Sequence, residues 1–437
     1  MSEKKILLLG AGLVTEPLVR YLLDIPDFKL TIASRTVSKA ENLLKGHPRG
    51  IAVSLNVKNE EELGQAVKNH DLSISLLPAT MHPVVAKYCL KYRKHLMTTS
   101  YVSPAMKAFD NEAKNSGLLF MNELGLDPGI DHMSAMRIIH QVYASDGKVL
   151  SFKSYCGGLP APEANTNPFG YKFSWAPKGV LLAGRNAAKF LWDGELKEIP
   201  GEALFDNYHY MNVGGMEFEA YPNRDSMPYQ DLYGLHDVHT MFRGTFRYRG
   251  WCQTLKSIVN MGYLDLEEKD YHVNTYADLT KKLVGYTKDN LRQSVAEKIG
   301  KPVDHFVLDN IKWLGLMDEI HLPKDVNSPI DYLAALCIEK LKYQPGERDM
   351  IVLHHIFEIE MEGQQKTATS TLIDYGIPHG QTAMARTVSL PAAIGTKLIL
   401  QDKITSCGVK IPVDPEVYNP ILNELEKMNI KCIERGL

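Results

Sequence analysis

Lys4-Lys5-Ile6-Leu7-Leu8-Leu9-Gly10-Ala11-Gly12-Leu13-Val14-Thr15-Glu16-Pro17 sets a short apolar run directly before a Gly-x-Gly turn and a stretch with helical character. A buried strand that ends in two glycines and opens a helix brings backbone amides and a positive helix terminus to one point, as a pyrophosphate requires. Thr15 stands at the third glycine position of the dinucleotide fingerprint, so the motif alone is weak and its surroundings must decide. The two lysines and the apolar run also imitate a signal peptide. Glu16, Arg20 and Asp24 follow too soon for that reading, and a buried strand explains the run better.

Working outward, short β-branched or leucine runs alternate with helical patterns: Leu30–Ala33, a helix from Ser38, Ile51–Leu55, a helix from Glu60, then Leu72–Leu77. Helices at Val84–Tyr92 and Pro104–Ser116 separate two further strands, His95–Thr99 and Leu118–Met121. This rhythm predicts a Rossmann-type doubly wound parallel sheet of about six strands. Beyond a helix at Ile130–Tyr143, strands at Leu150–Cys156, Gly215–Ala220 and Phe242–Trp251 indicate an antiparallel sheet with functional loops. Helical patterns at Tyr276–Leu283, Lys288–Ile299 and Ile330–Leu341 form a small insertion, after which Met350–Met361 and Lys366–Asp374 return to the sheet as a hairpin. The fold expected is α/β: a nucleotide-binding domain from 1–130 with 379–437, a mixed α/β domain from 131–262 with 346–378, and a helical domain at 263–345.

Ser34-Arg35-Thr36 follows the second strand, where an NAD-binding domain usually carries an acid for the ribose 2′-hydroxyl. An arginine between two hydroxyls suits a 2′-phosphate, because the guanidinium pairs with two phosphate oxygens. The reading is NADP(H) in preference to NAD(H).

The bulk composition is that of an ordinary folded chain: 437 residues, 44% hydrophobic, 23% charged and a net charge of −3. That balance argues against a chain devoted to nucleic acid or anionic membranes. Leu72 to Ala86 is broken by Pro78 and Pro83, so no transmembrane helix is expected. The six cysteines show no Cys-x-x-Cys spacing, as for reduced thiols in a cytoplasmic protein.

Strict alternation in Phe242-Arg243-Gly244-Thr245-Phe246-Arg247-Tyr248-Arg249 puts aromatics on one strand face and cations on the other. That second face is either solvated or a wall for carboxylates, and Arg224 in Tyr221-Pro222-Asn223-Arg224-Asp225 favours the latter. Cys156, in a Cys-Gly-Gly loop, is either a nucleophile of the semialdehyde-dehydrogenase type or a small buried residue. Asp127, in a Gly-Leu-Asp-Pro-Gly turn, is either catalytic or a turn-former. His132, His140, His354 and His355 lack a convincing third ligand, so no metal is predicted.

Leu124-Gly-Leu-Asp-Pro-Gly-Ile-Asp-His132, Ser154-Tyr-Cys-Gly-Gly-Leu-Pro-Ala-Pro-Glu163, Tyr171-Lys-Phe-Ser-Trp175, Tyr221-Pro-Asn-Arg-Asp-Ser226 and Arg243-Gly-Thr-Phe-Arg-Tyr248 resemble the glutamate-forming saccharopine dehydrogenase family, also called saccharopine reductases, over essentially the whole chain. The resemblance implies a homodimer. It implies cofactor contacts at Gly10, Ala11, Gly12, Leu13 and Val14, at Ser34, Arg35 and Thr36, at Asn56, Val57 and Ile74, and at Leu126, Asp127, Pro128, Gly129, Ile130, Asp131 and His132. Substrate contacts are implied at Ser100, Tyr101, Asp127, Cys156, Arg224, Thr245, Phe246 and Arg247.

The implied reaction is NADP(H)-linked hydride transfer at the carbon bearing saccharopine's secondary amine, with hydrolysis to L-glutamate and 2-aminoadipate 6-semialdehyde, or the reverse condensation. Asp127, Tyr101 and Cys156 are the candidates for proton handling. The Arg35-Thr36 pair favours the lysine-biosynthetic direction. Competing readings are a semialdehyde dehydrogenase acting through Cys156 and a non-catalytic NADP sensor.

Overall fold

The computed structural model describes residues 3–175, 177–286 and 290–437. The chain divides into two compact units, one running up to Lys148 and joined by Gly380–Arg435, the other spanning Val149–His379.

The first unit alternates β1 (Lys4–Leu9), α1 (Glu16–Leu23), β2 (Phe28–Ser34), α2 (Val37–Leu44), β3 (Gly50–Ser54), α3 (Glu60–Lys68), β4 (Leu72–Ser75), α4 (His82–Tyr92) and β5 (His95–Thr98). It continues through α5 (Pro104–Lys107), α6 (Asp110–Asn115), β6 (Leu119–Met121) and α7 (Ile130–Ala144). The strands pair in parallel in the order β6-β5-β4-β1-β2-β3. Both faces are covered, so strands such as Ile6–Leu9 are wholly buried and read as unbroken apolar runs. A seventh strand, Gly408–Lys410, pairs with β6 and was missing from the expected six. The expected Pro104–Ser116 helix is divided into α5 and α6.

The C-terminal helices Ala383–Leu400 and Pro415–Lys427 belong to this unit. Glu424, on the second of them, takes an ion pair from Lys397 on the first and a hydrogen bond from the Tyr21 hydroxyl of α1. Arg137 of α7 pairs with Glu426 at 2.7 Å. Tyr21 and Glu424, 403 residues apart, are thereby joined within one unit.

The second unit contains β7 (Lys148–Pro160), α8 (Pro177–Ala183), β8 (Ala188–Trp192), β9 (Glu195–Ile199), β10 (His209–Val213), β11 (Met216–Pro222), α9 (Pro228–Tyr233) and β12 (Thr240–Arg247). Then come α10 (Trp251–Asn260), α11 (Tyr276–Val284), α12 (Leu291–Ile299), α13 (Phe306–Leu314), α14 (Pro329–Lys340) and the hairpin β13 (Asp349–Met361) and β14 (Gln364–Tyr375). Lys288, in the expected Lys288–Ile299 helix, lies outside the described residues. The strand order is β10-β11-β12-β7-β13-β14. The sheet is mixed, not purely antiparallel, because β7 and β12 run parallel. Glu362 and Gly363 both take positive φ in the hairpin turn, as a two-residue connection between twisted strands demands.

Two sequence expectations change here. The strand over Phe242–Trp251 ends at Arg247, and Trp251 instead opens α10. Ser154–Pro160 is no flexible loop but the second half of β7. Gly157 is required there because a Cβ would stand 2.8 Å from both the Cβ and the carbonyl oxygen of Phe246.

Candidate functional site

In the first unit the carboxyl ends of β1 and β2 present the nucleotide-type turn. Gly10 has φ +113°, and a Cβ there would stand 3.0 Å from the Leu76 carbonyl oxygen. The turn is closed by a bond from the Gly12 N–H to the buried Thr15 hydroxyl at 3.0 Å, so threonine does the local work left by the absent third glycine. A Cβ on Gly12 would meet no atom within 4 Å. The space beside it suits a ligand's close approach. Ala11 and Val14 are half-buried, and Leu13 is 69% exposed.

Arg35 and Thr36 are exposed beyond β2, and no ion pair engages Arg35 among the described residues. The Ser34 hydroxyl accepts from the Thr36 N–H at 3.3 Å, ordering the turn around the guanidinium. Asn56 is exposed and accepts from the Lys58 N–H, Val57 is half-buried, and Ile74 lies wholly buried inside β4.

After β6 the chain enters a tight polar knot. Glu123, at φ +57°, accepts from the Val102 N–H at 2.8 Å and meets His132 Nε2 at 2.8 Å. Asp131 accepts from the Gly129 N–H at 2.5 Å. Gly129 takes φ +146°, where a Cβ would overlap Gly125. The Asp127–Pro128 peptide is cis. Leu126, Pro128, Gly129, Ile130, Asp131 and His132 are buried, and Asp127 alone of this run is half-exposed. The Tyr101 hydroxyl donates to Asp127 Oδ1 at 2.9 Å. Two of the three proton-handling candidates are thus in direct contact.

Ser100, next to Tyr101, touches a histidine that the sequence reading passed over. His82 Nε2 lies 2.8 Å from the Ser100 hydroxyl and 3.0 Å from Thr98, and its Nδ1 is 2.9 Å from Ser75. Burial pushes His82 down to about 4, so its imidazole is neutral at physiological pH. Nothing in its local sequence announces this role, because its partners come from two other strand ends.

In the second unit Cys156 is a β7 residue, 8% exposed and in register with Thr245 of β12. Arg224 has φ +58°, and its carbonyl accepts from the Lys189 N–H. Phe246 is fully buried against Tyr155 and Phe218, on the face opposite Thr245 and Arg247. The cationic face is neither solvated nor continuous. Arg243 and Arg247 are 3% and 6% exposed, whereas Arg249 lies beyond the strand beside Glu217. The Arg247 guanidinium sits over the rings of Tyr171 and Trp251, at 4.9 and 5.4 Å. It donates to the Phe246 carbonyl, and no carboxylate pairs with it among the described residues.

The acid facing Arg247 across the β11–β12 ladder is Glu219, whose carboxylate is committed elsewhere. Its oxygens accept from the Gly250 N–H at 2.7 Å and the Cys252 N–H at 2.8 Å, capping α10. Glu219 was not singled out from sequence, and only a tertiary contact identifies it. Among the described residues, no cluster of three or more His, Cys, Asp or Glu side chains is placed to hold a metal, and no helix is long and apolar enough to cross a membrane.

Residues 6–121 match the family model described as the saccharopine dehydrogenase NADP binding domain, and residues 125–430 match the saccharopine dehydrogenase C-terminal domain. The NADP(+), L-glutamate-forming saccharopine dehydrogenase of Schizosaccharomyces pombe is 41% identical over 98% of each chain. The enzyme of the same name from Saccharomyces cerevisiae is 40% identical over 97% of each. The mitochondrial alpha-aminoadipic semialdehyde synthase of Bos taurus is 38% identical over 98% of this chain but only 47% of its own length. The solved structure of apo saccharopine dehydrogenase (L-Glu forming) from Saccharomyces cerevisiae superposes with a TM-score of 0.89 at 38% identity, covering 99% of this chain and all of that one. Similarity that runs from the nucleotide turn to the last helix, in both sequence and fold, establishes that this chain belongs to the saccharopine dehydrogenase family.

Proposed function

We propose that the chain catalyses NADP(H)-linked oxidation of saccharopine to L-glutamate and 2-aminoadipate 6-semialdehyde, or the reverse condensation, in lysine metabolism. The observation that carries this reading is Arg247: a buried guanidinium that no carboxylate pairs with among the described residues, in a family whose substrate has three. An isolated buried charge costs several kcal/mol, and an anionic ligand would offset that cost.

The residues of the first unit fit the nucleotide. Gly12 leaves room for the pyrophosphate, and Arg35, with no ion pair among the described residues, suits the 2′-phosphate. When bound, NADP+ would supply the acceptor for a hydride from the carbon bearing the secondary amine. The chain's own part is proton handling. Asp127, held by Tyr101, accepts the ammonium proton so that the nitrogen lone pair can expel the hydride, and the same pair then serves the water that hydrolyses the imine. Arg224, Thr245 and Arg247 bind the substrate's carboxylates.

The dimeric state, a cytoplasmic location and a separate helical domain at 263–345 complete the proposal. The last is supported by the four successive helices α11 to α14 within that span. The test is to incubate saccharopine with NADP+ and NAD+ in parallel and follow the reduced cofactor. Turnover with NADP+ is expected, and none with either cofactor rejects the reading.

A further inference from the structure

The side chains packed on Arg247 share a defect that the protein does not repair. Tyr171, Trp251 and Arg247 are 0%, 3% and 6% exposed. Among the described residues, the Trp251 indole nitrogen and Arg247 Nε are buried without a hydrogen-bond partner, and the buried Tyr171 hydroxyl, with Trp175 beside it, finds no acceptor. Buried donors are nearly always satisfied, so three in mutual contact require an explanation. The two rings lie 4.7 Å apart, and the guanidinium rests over both. Glu219 would be the natural counter-ion, but the α10 amides hold both its oxygens. Burial keeps the Tyr171 hydroxyl protonated, hence a donor, against the pull of the neighbouring Arg247 charge and Trp175.

We infer that Tyr171 and Trp251 complete, with Arg247, a pocket for one carboxylate group, in which the indole N–H and the phenol O–H donate to the oxygens the guanidinium neutralises. Glu219 is a positioning residue: it anchors the first turn of α10 and so fixes Trp251, while leaving Arg247 unneutralised. The inference deepens the proposed function, on which it rests, by naming the donors that select a carboxylate over a neutral group.

The test uses Tyr171→Phe, which deletes one orphan donor and keeps the ring, and Trp251→Phe, which deletes the indole N–H together with part of the ring, both in the full chain. A residue serving the fold alone would lose stability on such a change. An orphan donor predicts the opposite, because its removal abolishes a desolvation penalty. The apo Tyr171→Phe variant should therefore melt no lower than wild type, and both variants should bind saccharopine, and glutarate as a bare dicarboxylate probe, about tenfold more weakly by calorimetry. NADPH affinity should not change. Wild-type glutarate affinity in both variants, or a lowered melting temperature in Tyr171→Phe, overturns the pocket. Failure of wild type to oxidise saccharopine would instead count against the proposed function, and the glutarate comparison would still decide the pocket.

Discussion

The Tyr101 hydroxyl donates to Asp127 Oδ1 at 2.9 Å, joining the segment after β5 to the turn before α7. A carboxylate that must take a proton from a secondary ammonium benefits from such an anchor, which fixes its direction. Asp127→Ala should lower kcat for saccharopine oxidation by about 10²–10⁴. Tyr101→Phe, which keeps the carboxylate but removes this hydrogen bond, should cost only about tenfold. The pH dependence of kcat in the two variants is the discriminating measurement. A loss below threefold in Asp127→Ala would remove Asp127 from the proton transfer.

Arg35 stands exposed, with no ion pair among the described residues and two hydroxyl residues beside it. Arg35→Ala should raise the KM for NADP+ at least about tenfold, or about 1.4 kcal/mol of binding, with little effect on NAD+. Parallel initial-rate titrations with the two cofactors decide it, and an equal loss with both would assign Arg35 to a general role.

The first unit was legible because parallel strands buried on both faces turn into apolar runs separated by helical patterns. The second was legible only in part. Arg243 and Arg247 alternate with Phe242 and Phe246 as on a surface strand, but the rings of Tyr229 over the first and of Tyr171 and Trp251 over the second cover them, which alternation does not encode. The end of β12 was missed for a related reason. Tyr248 and Arg249 continue the pattern, and the signal that starts α10 at Trp251 is a carboxylate at Glu219, more than thirty residues earlier. At the site, Asp127 was conspicuous in its turn. His82, Tyr171 and Trp251 gained meaning only through partners that the fold supplies.

His82 makes acid sensitivity predictable. Its folded value of about 4 lies below the ordinary 6.5, chiefly through burial, so the unfolded chain binds the proton first on acidification. The stability due to neutral His82 is therefore complete above about pH 6.5 and lost as pH falls towards about 4, to an extent of up to about 3 kcal/mol. Urea unfolding at pH 7 and pH 5 should show a smaller loss in His82→Gln than in wild type. Equal losses would mean that other groups dominate the acid transition.

Cys156 separates the hydride-transfer reading from acyl-enzyme chemistry. A cysteine nucleophile needs thiolate character and an open line of attack. Cys156 instead lies within a 13-residue strand, 8% exposed and in register with Thr245. A hydroxyl replaces the thiol there with little change of volume, so Cys156→Ser should fold normally and keep kcat within about tenfold of wild type. Intact-protein mass spectrometry during turnover should show no acylated species in wild type. An acyl adduct on Cys156, together with complete inactivity of the serine variant, would make the thiol the nucleophile, because proton transfer through Asp127 and Tyr101 would leave the serine variant active and the wild-type mass unchanged.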